Sequence, residues 1–203
     1  MTIVAAFDLD GTLTERDCVV PFLTRASGRV RLGRATIGGI VTSPSALRSR
    51  DRLKAIGASA LRGESLTTVE DLAARFATET VTGWLRTDTL DRLTRHQEAG
   101  HLVVIVSASF AVYAEPLGTH LGVDAVLATQ LASIDGILTG ELHGPNCRGP
   151  VKVDRLVEWL GTRGLRRDEV TLHAYGDSAG DREMLLDADV ATRVAPVRRR
   201  RRS

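Results

Sequence analysis

The sequence predicts an α/β protein: a Rossmann-like parallel sheet with helices on both faces, a helical module inserted early, and a small β-hairpin. Three observations lead there. Short runs of continuous apolar residues recur, each followed by a helical pattern; continuous rather than alternating hydrophobicity marks strands buried on both faces. The stretch from about 17 to 84 contains no such run and reads as helix. The 203 residues, 43% hydrophobic and 26% charged, suffice for one well-cored domain carrying an inserted module.

Taken in order, the first run is Ile3 to Phe7, and it ends in Asp8-Leu9-Asp10-Gly11-Thr12. In the insertion, "RDRLKAIGASALRGES" (50–65) and "TTVEDLAARFATETVTGWL" (67–85) have helical spacing, with Ser65–Thr68 as a start signal. This divides the chain into a core of 1–16 and 85–203 and a helical insertion of 17–84. "HLVVIVSAS" (101–109) is the second strand, and the helix after it stops at Gly122. "DAVLAT" (124–129) is the third. "QLASIDGILTGELHG" (130–144) alternates instead, with Asp135-Gly136 marking a tight hairpin turn. A helix follows over 150–164, with Pro150 in its first turn and glycines at its end. "VTLHAYGD" (170–177), a helix over 179–189 and "VATRVA" (190–195) complete the pattern.

Charge narrows the function classes. The net charge is +2, but Arg198–Arg202 alone contribute five positive charges, so the rest of the chain stands at about −3. That body carries no general basic signal for nucleic acid. The arginine run attracts polyanions, and equally reads as a solvated terminus. Cys18 and Cys147 are far apart and fit no metal-ligand pattern, which predicts free thiols in a reducing, cytoplasmic setting. The N-terminus has no basic region before its acids, unlike a signal peptide. The uncharged stretch Ala35–Leu47 is too short to span a bilayer and contains Pro44.

Ligands of open α/β sheets bind beyond the carboxyl ends of the strands. Asp8 and Asp10 lie there after the first strand, Ser107 and Ser109 at the end of the second, and Asp177 after a later one, with Asp181 a turn further on. Lys152 starts the helix after the hairpin; with Lys54 it is one of only two lysines in the chain. Carboxylates so close repel unless a divalent cation joins them, and an all-oxygen set favours Mg²⁺. Carboxylate-held Mg²⁺ with a lysine and a hydroxyl suits a phosphoryl group. Each feature alone also has a plainer reading. Asp-x-Asp-Gly-Thr is a turn sequence, Ser107 is a helix cap after a strand, Lys152 is a solvated helix residue, and "GDSAGD" is a capped loop. Their order and spacing argue for the site.

Together "FDLDGTLT", "IVSAS", Lys152 and "YGDSAGDREML" resemble the four ordered motifs of the haloacid dehalogenase superfamily. The resemblance runs from Ile3 to Pro196 and is strongest to the phosphoserine-phosphatase-like branch, whose helical cap follows the first motif. It implies hydrolysis of a small-molecule phosphomonoester. Asp8 would be the nucleophile and Asp10 the general acid and base. Ser107, Lys152 and Thr12 would bind the phosphoryl group. The Mg²⁺ ligands would be the carboxylates of Asp8 and Asp177 and the backbone carbonyl of Asp10. Asp181 would hold a metal-bound water or orient Lys152. A second acid also argues against dehalogenation, which releases a halide needing no proton. The sequence departs from the branch at Gly180, usually Asn, at Gly11, often Ser, and at Asp17, commonly a glutamate that binds the substrate's amine. Asp17 is therefore read either as an amine site or as a polar residue at the cap hinge, and Lys54 as a candidate substrate contact on the cap. Phosphoserine and histidinol phosphate are both compatible substrates. A phosphotransferase or phosphomutase on the same core, or a polyanion binder using the arginine tail, is the alternative.

Overall fold

Alternate residues of each apolar run leave by opposite faces of one sheet, and helices cover both. The computed structural model describes residues 1–42 and 50–195. Its strands are β1 (Thr2–Phe7), β2 (Leu102–Phe110), β3 (Ala125–Ile134), β4 (Ile137–His143), β5 (Val170–Gly176) and β6 (Val190–Arg193). They form a single sheet in the order β4-β3-β2-β1-β5-β6. Ala5 and Phe7 of β1 and Val103 and Ile105 of β2 enter one core; Val4, Ala6, Val104 and Val106 enter the other. Two-sided burial of this kind is why these strands lack polar alternation.

The helices are α1 (Val19–Ser27), α2 (Arg29–Thr42), α3 (Arg50–Ser59), α4 (Leu66–Gly83), α5 (Thr87–Glu98), α6 (Ala111–Leu121), α7 (Pro150–Thr162) and α8 (Arg182–Asp187). The α7 helix begins at Pro150, whose missing N–H is no loss at a first helical position. It buries Leu156, Trp159 and Leu160 against the second core. The first core runs without a break into the insertion. Phe22 of α1, Phe76 of α4 and Tyr113 of α6 form one aromatic cluster with centroids 4.8–5.6 Å apart. Such pairs add about 0.5–1.5 kcal/mol each beyond their buried area.

The expected hairpin is present as β3 and β4, and it forms the edge of the main sheet. Over Ala125–Thr129 β3 pairs parallel with β2; over Gln130–Ile134 it pairs antiparallel with β4. The alternation that begins at Gln130 marks where β3 leaves its double helical cover, not where a new module starts. Asp135 (φ 50) and Gly136 (φ 77) make the turn, as their types predict. The hairpin also receives the insertion: Gly63 N–H donates to Leu138 O, Leu138 N–H to Glu64 O and Leu66 N–H to Gly136 O, all at 2.8–2.9 Å. No helix among the described residues is long and apolar enough to cross a membrane.

The register positions the site. Phe7 pairs with Ile105 on one side and Tyr175 on the other. Asp8, Ser107 and Asp177 therefore emerge at nearly one level, on three adjacent parallel strands.

Candidate active site

Asp8 follows β1 and its amide donates to Tyr175 O at 2.9 Å, which ties it to the strand that delivers Asp177. Both of its carboxylate oxygens are held. Oδ1 accepts from Lys152 Nζ at 2.6 Å and Oδ2 from Thr12 Oγ1 at 3.3 Å. Lys152, on the first turn of α7, is 1% exposed and donates a second bond to Asp181 Oδ1 at 2.5 Å. It is a buried cation between two buried carboxylates, and the solvated-lysine reading is set aside. Burial alone would lower Lys152, but Asp8 and Asp181 hold it up to about 12, so it is an ammonium at neutral pH. Burial pushes Asp8 up to about 7 despite Lys152, with Asp181 and Asp10 adding repulsion. Asp181 goes the other way: burial is outweighed by Lys152 and by bonds from Ser178, and its carboxyl lies below the usual range.

Asp181 also explains why "GDSAGD" reads as a capped turn. Its Oδ2 accepts from Ser178 N–H at 2.9 Å and Ser178 Oγ at 2.8 Å, while Oδ1 serves Lys152. The turn and the site are one structure. Asp181 lies in a 3-10 turn (Ala179–Asp181) and caps α8 rather than sitting on it. Ser107 has the same double character: it is 1% exposed beside Asp8's strand, and its Oγ accepts from Ser109 N–H at 3.1 Å.

Asp10 lies two residues beyond Asp8, in the turn after β1. Its Oδ1 accepts from Cys18 N–H at 2.8 Å, at the start of α1, and its Oδ2 from Ser109 Oγ at 2.5 Å. Burial and Asp17 raise its carboxyl, with the bonds from Ser109 and Cys18 opposing. Ser109 was visible at the strand end, but nothing in an S-x-S spelling says which serine reaches which acid. Gly11 is forced by its surroundings. It has φ +83, and a Cβ there would lie 2.5 Å from Asp177 Oδ2. At Gly180 a side chain would meet Arg148 Nε at 3.0 Å, so an arginine fills the space that the branch's usual Asn would occupy.

The two insertion residues differ. Lys54 on α3 reaches back to the core. Its ammonium donates to Ala108 O and lies 4.7 Å from the centroid of Phe110, and burial lowers it to about 8 despite Asp10, Asp17 and Asp8. Asp17 turns toward α1, where its Oδ1 accepts from Val19 N–H at 2.8 Å and Val20 N–H at 3.3 Å. Arg198–Arg202 lie outside the described residues.

The donor set fits a hard divalent cation. Asp8, Asp177 and Asp181 each offer a carboxylate oxygen within 4.8 Å of the others. Asp177 Oδ1 is buried without a hydrogen-bond partner, and burial and Asp181 raise its carboxyl. An orphaned oxygen among carboxylates, with no nitrogen or sulfur in the set, suits Mg²⁺.

Comparison with known proteins agrees with this geometry. The haloacid dehalogenase-like hydrolase family matches residues 5–186. Protein CicA of Caulobacter vibrioides is 35% identical over 194 residues, covering 92% of this chain and 83% of that protein. A phosphoserine phosphatase of Lactococcus lactis is 30% identical over 188 residues, 90% of this chain and 79% of the relative. Among solved structures, a protein of unknown function from Bordetella pertussis superposes with TM-score 0.73 at 24% identity, over 92% of this chain and 87% of that one. A phosphoserine phosphatase holding a phospho-aspartyl intermediate analogue gives 0.63 at 21%, over 92% and 83%. With a family match that spans most of its length, the chain belongs to the haloacid dehalogenase-like hydrolases, in the phosphoserine-phosphatase-like branch.

Proposed function

We propose that the protein hydrolyses a small phosphomonoester through an aspartyl-phosphate on Asp8, with Mg²⁺ as cofactor. The observation that carries this is the buried Lys152 ammonium bridging Asp8 and Asp181 beside the unpartnered Oδ1 of Asp177. With Asp8 Oδ1 anchored by Lys152, Oδ2, which accepts only the longer 3.3 Å bond from Thr12, is the oxygen available to meet phosphorus. Asp8 attacks the phosphorus, the bond from phosphorus to the substrate oxygen breaks, and Asp10 gives its proton to the leaving alkoxide. Asp10, now ionised, takes a proton from the water that attacks the acyl phosphate; inorganic phosphate leaves and Asp8 is restored. The raised Asp10 carboxyl suits a group that must first donate. Lys152, Ser107 and Thr12 bind and orient the phosphoryl oxygens. Asp8, Asp177 and the Asp10 carbonyl would hold Mg²⁺, which when bound neutralises phosphate charge.

The substrate class follows less directly. Relatives named phosphoserine phosphatase favour a compact phosphomonoester bearing an amine, phosphoserine or histidinol phosphate. Lys54 and Asp17 are the insertion residues electrostatically coupled to Asp10, so they are the candidate substrate contacts. Asp17 holds the α1 N-terminus with one oxygen, which favours the hinge reading over a dedicated amine site.

Phosphate release from p-nitrophenyl phosphate, phosphoserine and histidinol phosphate, with Mg²⁺ or with excess chelator, tests the reading. Turnover should require Mg²⁺ and vanish in Asp8→Asn. Full activity in chelator, or near wild-type turnover by that variant, overturns it. Adding an acceptor alcohol separates hydrolysis from phosphoryl transfer.

A further inference from the structure

We propose that Arg86 is the positioning residue that sets the spacing between the Asp8–Asp10 loop and Asp177, and with it the affinity of the metal site. This rests on the reading that Asp8 and Asp177 share a cation.

Arg86 precedes α5, where the chain returns from the insertion. It is 7% exposed and hydrogen-bonds none of the site carboxylates, although its charge favours the ionised form of Asp177. Four of its five N–H donors are committed. Nη1 donates to Gly11 O at 2.9 Å and to Ala195 O at 2.8 Å, while Nε and Nη2 grip the two oxygens of Asp88 at 3.0 and 2.8 Å. The same turn supplies two more donors: Thr89 Oγ1 to Thr12 O at 2.7 Å, and Arg86 N–H to Leu13 O at 2.9 Å. The carbonyls of Gly11, Thr12 and Leu13, three in succession, are thus each held from behind by the start of α5.

Those carbonyls belong to the turn that aims the two catalytic aspartates. On its inner side the amides of Thr12, Leu13 and Thr14 all converge on Leu9 O, at 2.9–3.2 Å. The outer carbonyls need donors, and in a buried setting they would cost free energy without them. Gly11 then packs directly on the Asp177 carboxylate. The second contact of Arg86, Ala195, follows Val194, whose N–H donates to Gly176 O at 2.8 Å, next to Asp177. One planar cation therefore braces the first-motif loop and the segment paired with the fourth. Lysine, a point donor on a flexible stem, cannot make the Asp88 fork and both carbonyl bonds together.

The test uses the intact protein and four variants: Arg86→Lys, Thr89→Val, Asp177→Ala, and Arg167→Lys as a structural control. Arg167 grips Asp187 and Asp189 near the opposite end of β5, away from the site. Mn²⁺ alone is titrated calorimetrically, and kcat and KM are measured with p-nitrophenyl phosphate below each variant's melting temperature. Arg86→Lys should weaken Mn²⁺ binding about 10- to 100-fold, as loss of a ligand-orienting contact does, and lower kcat with KM little changed. Thr89→Val should move in the same direction by less; if Arg86→Lys fails to fold, this variant decides. Arg167→Lys should lower the melting temperature only. Wild-type Mn²⁺ affinity in folded Arg86→Lys, or in Thr89→Val standing in for it, while Asp177→Ala abolishes binding, overturns the Arg86 assignment alone. Unchanged binding in Asp177→Ala overturns the metal reading beneath it, and the assignment with it.

Discussion

Replacing Lys152 tests the site most directly, and two substitutions separate its charge from its shape. The Nζ lies 2.6 Å from Asp8 and 2.5 Å from Asp181 in a space that leaves the side chain 1% exposed. Lys152→Arg keeps the charge but adds two heavy atoms and a planar head. Overpacking of this kind costs about 1–3 kcal/mol of stability. The bond geometry to Asp8 and a phosphoryl oxygen is lost, and one such transition-state contact is worth about 3 kcal/mol, on the order of a hundredfold in kcat. Lys152→Met instead strands two buried carboxylates, for which about 3–5 kcal/mol is typical. In a domain of this size each kcal/mol moves the melting temperature by about 2–4 °C. The arginine variant should therefore stay folded at 25 °C and lose kcat, while the methionine variant loses both. Lys54→Arg is the control: the side chain belongs to the insertion and bonds Ala108 O, so KM should respond and kcat should not. The assay is kcat at saturating p-nitrophenyl phosphate and Mg²⁺, with thermal melts alongside. Wild-type kcat in Lys152→Arg would refute the reasoning, since a site built around those two distances cannot accept a guanidinium.

Two further outcomes are expected. Ser109→Ala removes a donor that lowers Asp10; the carboxyl should rise, and, since the proposed mechanism uses ionised Asp10 for dephosphorylation, the acid limb of the kcat–pH profile should move to higher pH. A hydrogen bond to a charged group is worth about 1.5–3 kcal/mol, so a profile that stays put would exclude Ser109 as an influence on Asp10. His96, whose Nδ1 meets His101 and whose Nε2 meets Tyr175 OH, is held down to about 4 by burial and by His173 and His101. The unfolded chain takes up that proton near 6.5 and the folded one does not. The stability is therefore complete above 6.5 and declines as pH falls toward 4, by up to ~1.4 kcal/mol per pH unit. Denaturant midpoints of wild type and His96→Gln between pH 7.5 and 5 should diverge, and parallel curves would remove His96 as the cause.

Legibility in the sequence followed burial. Strands β1 and β2 are apolar on both faces and β5 on one, so their runs stand out and their ends reveal Asp8, Ser107 and Asp177. Helices α1, α2 and α5 left weaker traces. The buried stripe of α5 is Thr89, Leu93 and His96, and only one of these is apolar. On α2, Val30 and Ile37 face solvent, so its apolar residues do not trace a single inward stripe. Lys152 gained meaning from its place after the hairpin; its burial needed the fold. Arg86, and the pairing of Ser109 with Asp10, were out of reach for another reason. The Gly11 carbonyl that Arg86 holds and the carboxylate oxygen that Ser109 reaches lie 75 and 99 residues away in the chain, and such contacts leave no spacing to read. The hairpin was legible from its turn and alternation; that β3 runs from Ala125 straight into it was not, because a strand that changes partner midway changes its hydrophobic rhythm without ending.

Charge balance at the strand ends leads to the last expectation. Asp8, Asp10, Asp177 and Asp181 converge where Lys152 is, among the described residues, the one cation bonded to them, with Lys54 and Arg86 acting on Asp10 and Asp177 from further off. Three of the four carboxyls are raised by burial, and Asp177 Oδ1 has no partner. Buried carboxylates with too little positive charge destabilise a fold, and a cation bound only by the folded state restores the balance by mass action. At a hundred times its dissociation constant such a ligand adds about 2.7 kcal/mol, which is about 5–11 °C of melting temperature at this size. Mg²⁺ should therefore stabilise wild type by that order in the absence of any substrate. Asp177→Asn keeps the shape and removes one uncompensated charge, so without Mg²⁺ it should melt at or above wild type. With Mg²⁺ it should gain little, and the two melting curves should cross as the ion is added. An equal Mg²⁺ shift in Asp177→Asn would place the cation elsewhere, and a lower melting temperature of the metal-free variant would show that Asp177 already has its compensating charge.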